Sequence, residues 1–211
     1  MHRLGALQEL HLAQVTGNQD PEGRGRLKVR LHSLEVEVWA GCLTPSAGRG
    51  YGVSLLPRVG EQVVLGFLSP ELPVVLGALW SGGSSQPEDG RPVEDRYLVR
   101  TPAGTRILAD DGNSPKLVLQ TPAGFHLTID EGAGGSITVE KGGEKIELSN
   151  SGIRIQTASR VEIQAGQVNV SAGMVQVDAG MSRFSGVVQC DTLITNAVVS
   201  SSYTPGAGNV W

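Results

Sequence analysis

Four carboxylates are the residues best suited by type to do chemistry, and they form two adjacent pairs, Asp110-Asp111 and Asp130-Glu131. Paired carboxylates can divide general acid and general base work when their environments push their pKa values apart. Here each pair is followed at once by a glycine, Gly112 or Gly132, and the pairs occupy equivalent places in two copies of one repeat. Acidic residues duplicated beside glycine are expected in turns. The stretch Glu131-Gly-Ala-Gly-Gly135 is similar to a calcium-binding nonapeptide but lacks its aspartate, so a glycine turn is again expected. Cys42 has no neighbouring motif that would activate a thiol. His2, His11, His32 and His126 are too scattered for a triad. No catalytic, cofactor-binding or metal residue is assigned, no cofactor is expected, and the chain is expected not to be an enzyme.

The elements that carry these residues are repeats. Leu98-Val-Arg-Thr-Pro-Ala-Gly104 is echoed by Val118-Leu-Gln-Thr-Pro-Ala-Gly124, which predicts a strand, a Pro-Ala-Gly turn and a second strand in each copy. Ile137/Val139, Ile146/Leu148 and Ile153/Ile155 continue the apolar pairs less regularly. Then a seven-residue period sets in, with Val161/Ile163, Val168/Val170 and Val175/Val177 each followed by an Ala-Gly. A coiled coil needs apolar spacings of three and four, whereas these pairs are two apart, β-branched and interrupted by glycine. A single-chain solenoid is disfavoured because the known short periods are six and nine. Energetics agree. Two branched side chains per layer contribute about 1.5–3 kcal/mol each when buried, against roughly 1–2 kcal/mol of backbone entropy for each ordered residue. Three chains wound on one axis satisfy both burial and edge pairing. Val161, Ile163, Val168, Val170, Val175 and Val177 are therefore expected to point to a trimer axis.

Upstream the period is two. Arg26-Leu-Lys-Val-Arg-Leu31 places Leu27, Val29 and Leu31 on one face, Glu35-Val-Glu-Val38 alternates likewise, and Gln62–Phe67 groups Val63, Leu65 and Phe67. With an opening strand over Leu10–Val15 and an apolar run over Pro73–Trp80, five strands make a small barrel the economical fold. The expected organisation is a base domain over 1–80, a Gly/Ser/Pro linker over 81–95, a shaft over 96–186, and a needle tip and tail over 187–211. Composition fits an all-β chain of short strands: 29 glycines and 4% aromatics in 211 residues. A net charge of −4 with no basic run argues against nucleic acid. Cys42 and Cys190 fall in different expected domains, so no internal disulfide is expected. No signal peptide is read in MHRLGALQELHLAQV, so synthesis in the cytoplasm is expected.

Asn18-Gln-Asp-Pro-Glu-Gly-Arg-Gly-Arg26, Gly50-Tyr-Gly52, Leu56-Pro-Arg-Val-Gly-Glu61 and Pro73–Trp80 resemble the OB-fold domain of phage baseplate assembly protein V and of VgrG spikes. The shaft repeats resemble the triple-stranded β-helix that follows it, and the ending Ser202–Trp211 is similar to tails of short members. The resemblance implies an N-terminal five-stranded OB-fold barrel followed by a trimeric intertwined β-helix, a β-prism needle. It implies a homotrimer in the baseplate of a virion or injection particle, with a hub protein above, a PAAR-like tip protein as distal partner, and transient contact with a target membrane. Tyr203 and Trp211 are the expected tip or partner contacts, with self-capping of the needle end and no partner as the alternative. Arg24 and Arg26 are expected in a solvated loop, with a hub contact as the alternative. The chain departs from relatives that carry a fused hub or an inserted lysozyme domain, and it lacks the His-x-His tip motif. A trimeric tail fibre or adhesin binding a surface glycan is the alternative function, and an envelope hydrolase a third. From Val161 on, only Glu162, Asp178, Arg183 and Asp191 are charged, a composition that lowers the desolvation cost of passing through lipid.

Overall fold

In the computed structural model, which describes residues 10–83 and 85–201, the N-terminal alternating segments close into a barrel. Its strands are β1 (His11–Gly17), β2 (Leu27–Leu31), β3 (Glu37–Cys42), and, after a small hairpin of β4 (Ala47–Gly48) and β5 (Tyr51–Gly52), β6 (Gln62–Ser69) and β7 (Leu72–Leu79). The order is β1-β2-β3-β7-β6, with β1 returning to β6. The β3–β7 contact is parallel and the other pairs are antiparallel. The alternation dictates the inside: Ala13, Val15, Leu27, Val29, Leu31, Val63, Leu65 and Val75 are buried together. Phe67 packs against this core and meets the His11 ring edge-on at 6.0 Å. Irregular register at Val15/Gly17, Val64/Leu65 and Phe67/Ser69 supplies the bends a small closed barrel needs. Boundaries differ from the sequence reading by one or two residues: β1 runs His11–Gly17 rather than Leu10–Val15, and β7 runs Leu72–Leu79 rather than Pro73–Trp80. Val36 sits in the β2–β3 turn, where its carbonyl accepts from Leu31 at 3.0 Å, and β3 starts at Glu37.

The β1–β2 loop is organised by one carboxylate. Asp20 accepts the backbone N–H groups of Glu22 (3.1 Å), Arg24 (2.9 Å) and Arg26 (3.3 Å), and both of its oxygens take the Arg26 guanidinium. The Arg26 side chain also lies over the Trp39 ring. Arg26 is therefore a structural clamp, whereas Arg24 is exposed beside Glu22.

After the barrel, seven strands form one antiparallel meander: β8 (Arg96–Arg100), β9 (Arg106–Asp110), β10 (Lys116–Gln120), β11 (His126–Asp130), β12 (Ser136–Lys141), β13 (Glu144–Ser149) and β14 (Gly152–Gln156). Among the described residues the structure is all-β apart from two single 3-10 turns, Glu88–Gly90 and Gly132–Gly134. Each repeat copy is a hairpin. In the first, the Thr101 carbonyl accepts from Gly104 N–H (2.9 Å) and the Thr101 hydroxyl from Thr105 N–H (3.1 Å). In the second, Thr121 does the same with Gly124 (3.0 Å) and Phe125 (3.3 Å). Gly104 and Gly124 have φ of +97° and +81°, which explains why both turns end in glycine.

The chain divides into two units, Met1–Val161 and Glu162–Trp211. Within the second, no strand forms over the described residues, and all of them are exposed.

Candidate assembly interface

Register decides what the meander presents. Side chains in one cross-strand row share a face, and rows one residue apart face opposite ways. One row runs Tyr97–Ala109–Leu117–Ile129 across β8 to β11 and continues as Ile137–Leu148–Ile153 across β12 to β14. The next row on the same side runs Val99–Ile107–Leu119–Leu127 and continues as Val139–Ile146–Ile155. Every one of these side chains is apolar or aromatic, yet none is buried, and Tyr97 and Ile153 are 68% and 72% exposed. Among the described residues of its own unit, nothing buries this contiguous apolar face, which is two rows wide and seven strands long.

The opposite face is mostly polar apart from the row Leu98–Leu108–Val118, and there the few buried positions lie. Leu108, Val118 and Asp110 are the buried residues of the sheet. Along one margin of this face runs a row of alternating charge, Arg96–Asp110–Lys116–Asp130. Asp110 pairs with Arg96 at 3.0 Å and accepts Gly112 N–H at 3.1 Å. The Gly112 amide, then the Arg96 and Lys116 charges, outweigh burial and hold the carboxyl below the usual aspartate range. Asp130 is lowered in the same way, by Gly132 N–H at 2.7 Å and then by the Ser114 hydroxyl at 3.0 Å. Both aspartates therefore serve as turn braces, ionised and engaged by donors of their own turns. Asp111 and Glu131 mirror each other through their backbones, donating to Asp95 (2.8 Å) and Pro115 (3.0 Å).

The residues expected at the axis are all exposed, Val161 at the end of the first unit and the other five in the second; Ile163 and Val170 are 73% and 71% accessible. The polar residues between them interact along one side. Gln164 donates to Glu162 at 2.8 Å and Gln167 to Asn169 at 3.0 Å, which is the i, i+2 contact of an extended chain. Tyr203 and Trp211 lie outside the described residues. Cys42 is half-buried, and burial pushes its thiol up, away from the thiolate a nucleophile needs. Among the described residues no cluster of three or more His, Cys, Asp or Glu could hold a metal ion. Among them, too, no helix is long and apolar enough to cross a membrane.

Sequence reasoning found Ile137/Val139, Ile146/Leu148 and Ile153/Ile155 but missed their continuation through Tyr97/Val99, Ile107/Ala109, Leu117/Leu119 and Leu127/Ile129. The signal was present as spacing-two alternation in each hairpin. The echoed Thr-Pro-Ala-Gly turns drew attention to the loops instead.

Two family models match the chain. The OB domain of type VI secretion system and phage-baseplate injectors matches residues 11–80, which span the closed barrel. The phage baseplate V C-terminal trimerisation domain matches residues 116–181, which take in β10 to β14 and the first seven-residue layers. No curated protein matches the chain.

Proposed function

This chain belongs to the baseplate V family of phage and type VI injector proteins, and from that membership we propose that it is the central spike of a contractile baseplate. The working unit is a homotrimer, as the matched trimerisation domain indicates. In this reading the barrels dock on a hub protein. The shaft transmits thrust as an intertwined β-prism, and the distal layers puncture the target envelope, led by a PAAR-like tip protein. The spike acts by rigidity and catalyses nothing. It resides in the baseplate of a virion or injection particle.

One observation carries the reading. The apolar face of β10 to β14 lies within the trimerisation match and is left unburied by the described residues of its own unit. Burying it is worth about 0.8 kcal/mol per methylene, a gain that only other copies can realise. The sparse charge after Val161 supports the puncturing role, because few ionised groups must lose water in a lipid phase.

The test uses two neighbouring positions of β12. Ile137→Asp places a charge on the apolar face, and Thr138→Asp on the polar one. We expect Ile137→Asp to yield monomers by light scattering and no contraction-competent particles when it replaces the native chain in a producing cell. Thr138→Asp, which faces Glu147 across the strands, should lower the melting temperature slightly but still give trimers and functional particles. Functional particles built with a monomeric Ile137→Asp chain would remove the spike from consideration.

A further inference from the structure

The segment between barrel and sheet has the composition of a flexible tether, but its second half is folded onto the sheet. Gly90 donates to Pro87 at 3.2 Å, Arg91 to Glu88 at 3.1 Å, and Asp111 of the β9–β10 turn to Asp95 at 2.8 Å. Gly90 is buried, and a Cβ there would lie 3.4 Å from Leu98. The 3-10 turn Glu88–Gly90 thus covers Leu98, whose cross-strand partner Leu108 is 5% exposed. This is the polar side of the sheet, opposite the apolar face.

Charge explains what holds it. Arg100 and Arg106 sit directly opposite each other on β8 and β9. Like charges in that relation destabilise a sheet. Asp89 resolves the conflict by giving one carboxylate oxygen to each guanidinium, at 3.0 Å to Arg100 and 3.2 Å to Arg106. Arg96 adds a third grip, donating to the Arg91 carbonyl and, at 3.4 Å, to the Asp89 carbonyl. The second repeat copy serves as an internal control. Where the first has Arg100, Arg106 and Leu108, the second has Gln120, His126 and Thr128. The duplication kept the hairpin and its turn. It differs at the residues that meet the neck, and only the first copy has a neck to hold.

We propose that residues 87–95 are a clamp, keyed by Asp89, that mounts the neck rigidly on the first hairpin. The flexible connection then ends at Gln86 rather than Asp95. A mount of this kind shortens the compliant part of the connection, so less of it can bend or twist under load. The clamp does not depend on the spike reading, since it is a statement about one chain's folding.

Hydrogen exchange on the intact assembly tests it. Peptides covering 87–95 should be protected in the wild type. In Asp89→Ala they should exchange about tenfold faster or more, while barrel peptides stay protected. Glu88→Ala, altered at an exposed neighbour, should leave the pattern unchanged. If Asp89→Ala does not fold, Arg100→Gln with Arg106→Gln removes the grip without leaving two arginines facing each other, and carries the same expectation. Unstructured-peptide exchange over 87–95 in the wild type, or no difference between the Asp89 and Glu88 variants, would overturn the clamp. Loss of trimers in the Ile137→Asp test would leave it untouched.

Discussion

At the scale of single residues, carboxylates here hold loops. Asp20 has only 3% of its side chain exposed and takes three backbone amides and one guanidinium. Its pKa is driven well below the ordinary 3.8, first by the Arg26 hydrogen bonds, against the opposing pull of burial. Asp110 and Asp130 are lowered too. A carboxyl depressed by folding adds stability that is fully present above its unfolded pKa and is lost as pH falls through the folded value. Thermal melts should therefore be flat from about pH 5 upward and should fall below about pH 4. In Asp20→Asn that acid-side slope should shrink, and an unchanged slope would assign it to other groups. The sequence placed Arg24 and Arg26 in a solvated loop but did not mark Asp20 as its clamp. Nothing in spacing alone says that Arg26 turns back onto Asp20 while Arg24 stays in solvent.

At the scale of elements, glycines separate into those needed for conformation and those needed for space. A Cβ on Gly132 would lie 2.2 Å from the Ser114 hydroxyl and 2.9 Å from an Asp130 oxygen, whereas one on Gly143 meets nothing within 4 Å. Gly132→Ala should cost about 1–3 kcal/mol in denaturant unfolding, and Gly143→Ala should be far milder. Equal losses would mean that the Asp130 turn relaxes freely. In the distal repeats, Val170→Asp should block assembly and Ser171→Asp should be tolerated. Equal sensitivity would put the repeat in the wrong register. Barrel strands were legible because one face of each is buried against the others, which enforces strict alternation. The meander was legible as hairpins. Its width as a docking face was not, because it appears only when register aligns seven short alternations into two rows.

At the scale of the molecule, light scattering should give three times the 22.1 kDa chain mass. A folded monomer at micromolar concentration would contradict the trimer. The seven-residue layers were legible as a pattern that one chain cannot satisfy. The described part of Glu162–Trp211 forms no strand of its own. In the proposed trimer the edges of these segments would be completed by other chains, and that pairing leaves no signal in the spacing of one sequence.

The alternating row Arg96–Asp110–Lys116–Asp130 has a consequence for how such a protein changes length. Each repeat copy contributes one cation and one anion in that order, together with two strands of the apolar face. A further copy of residues 116–135, inserted after the original, would continue the alternation without placing like charges together. Strands stack at about 4.8 Å, so each insertion should extend the sheet by roughly 10 Å. The hairpin pair is thus a unit of growth, and reach can evolve by whole-unit duplication in fixed steps. A nine-strand variant that trimerises and lengthens by that increment in cryo-electron microscopy would realise one such step.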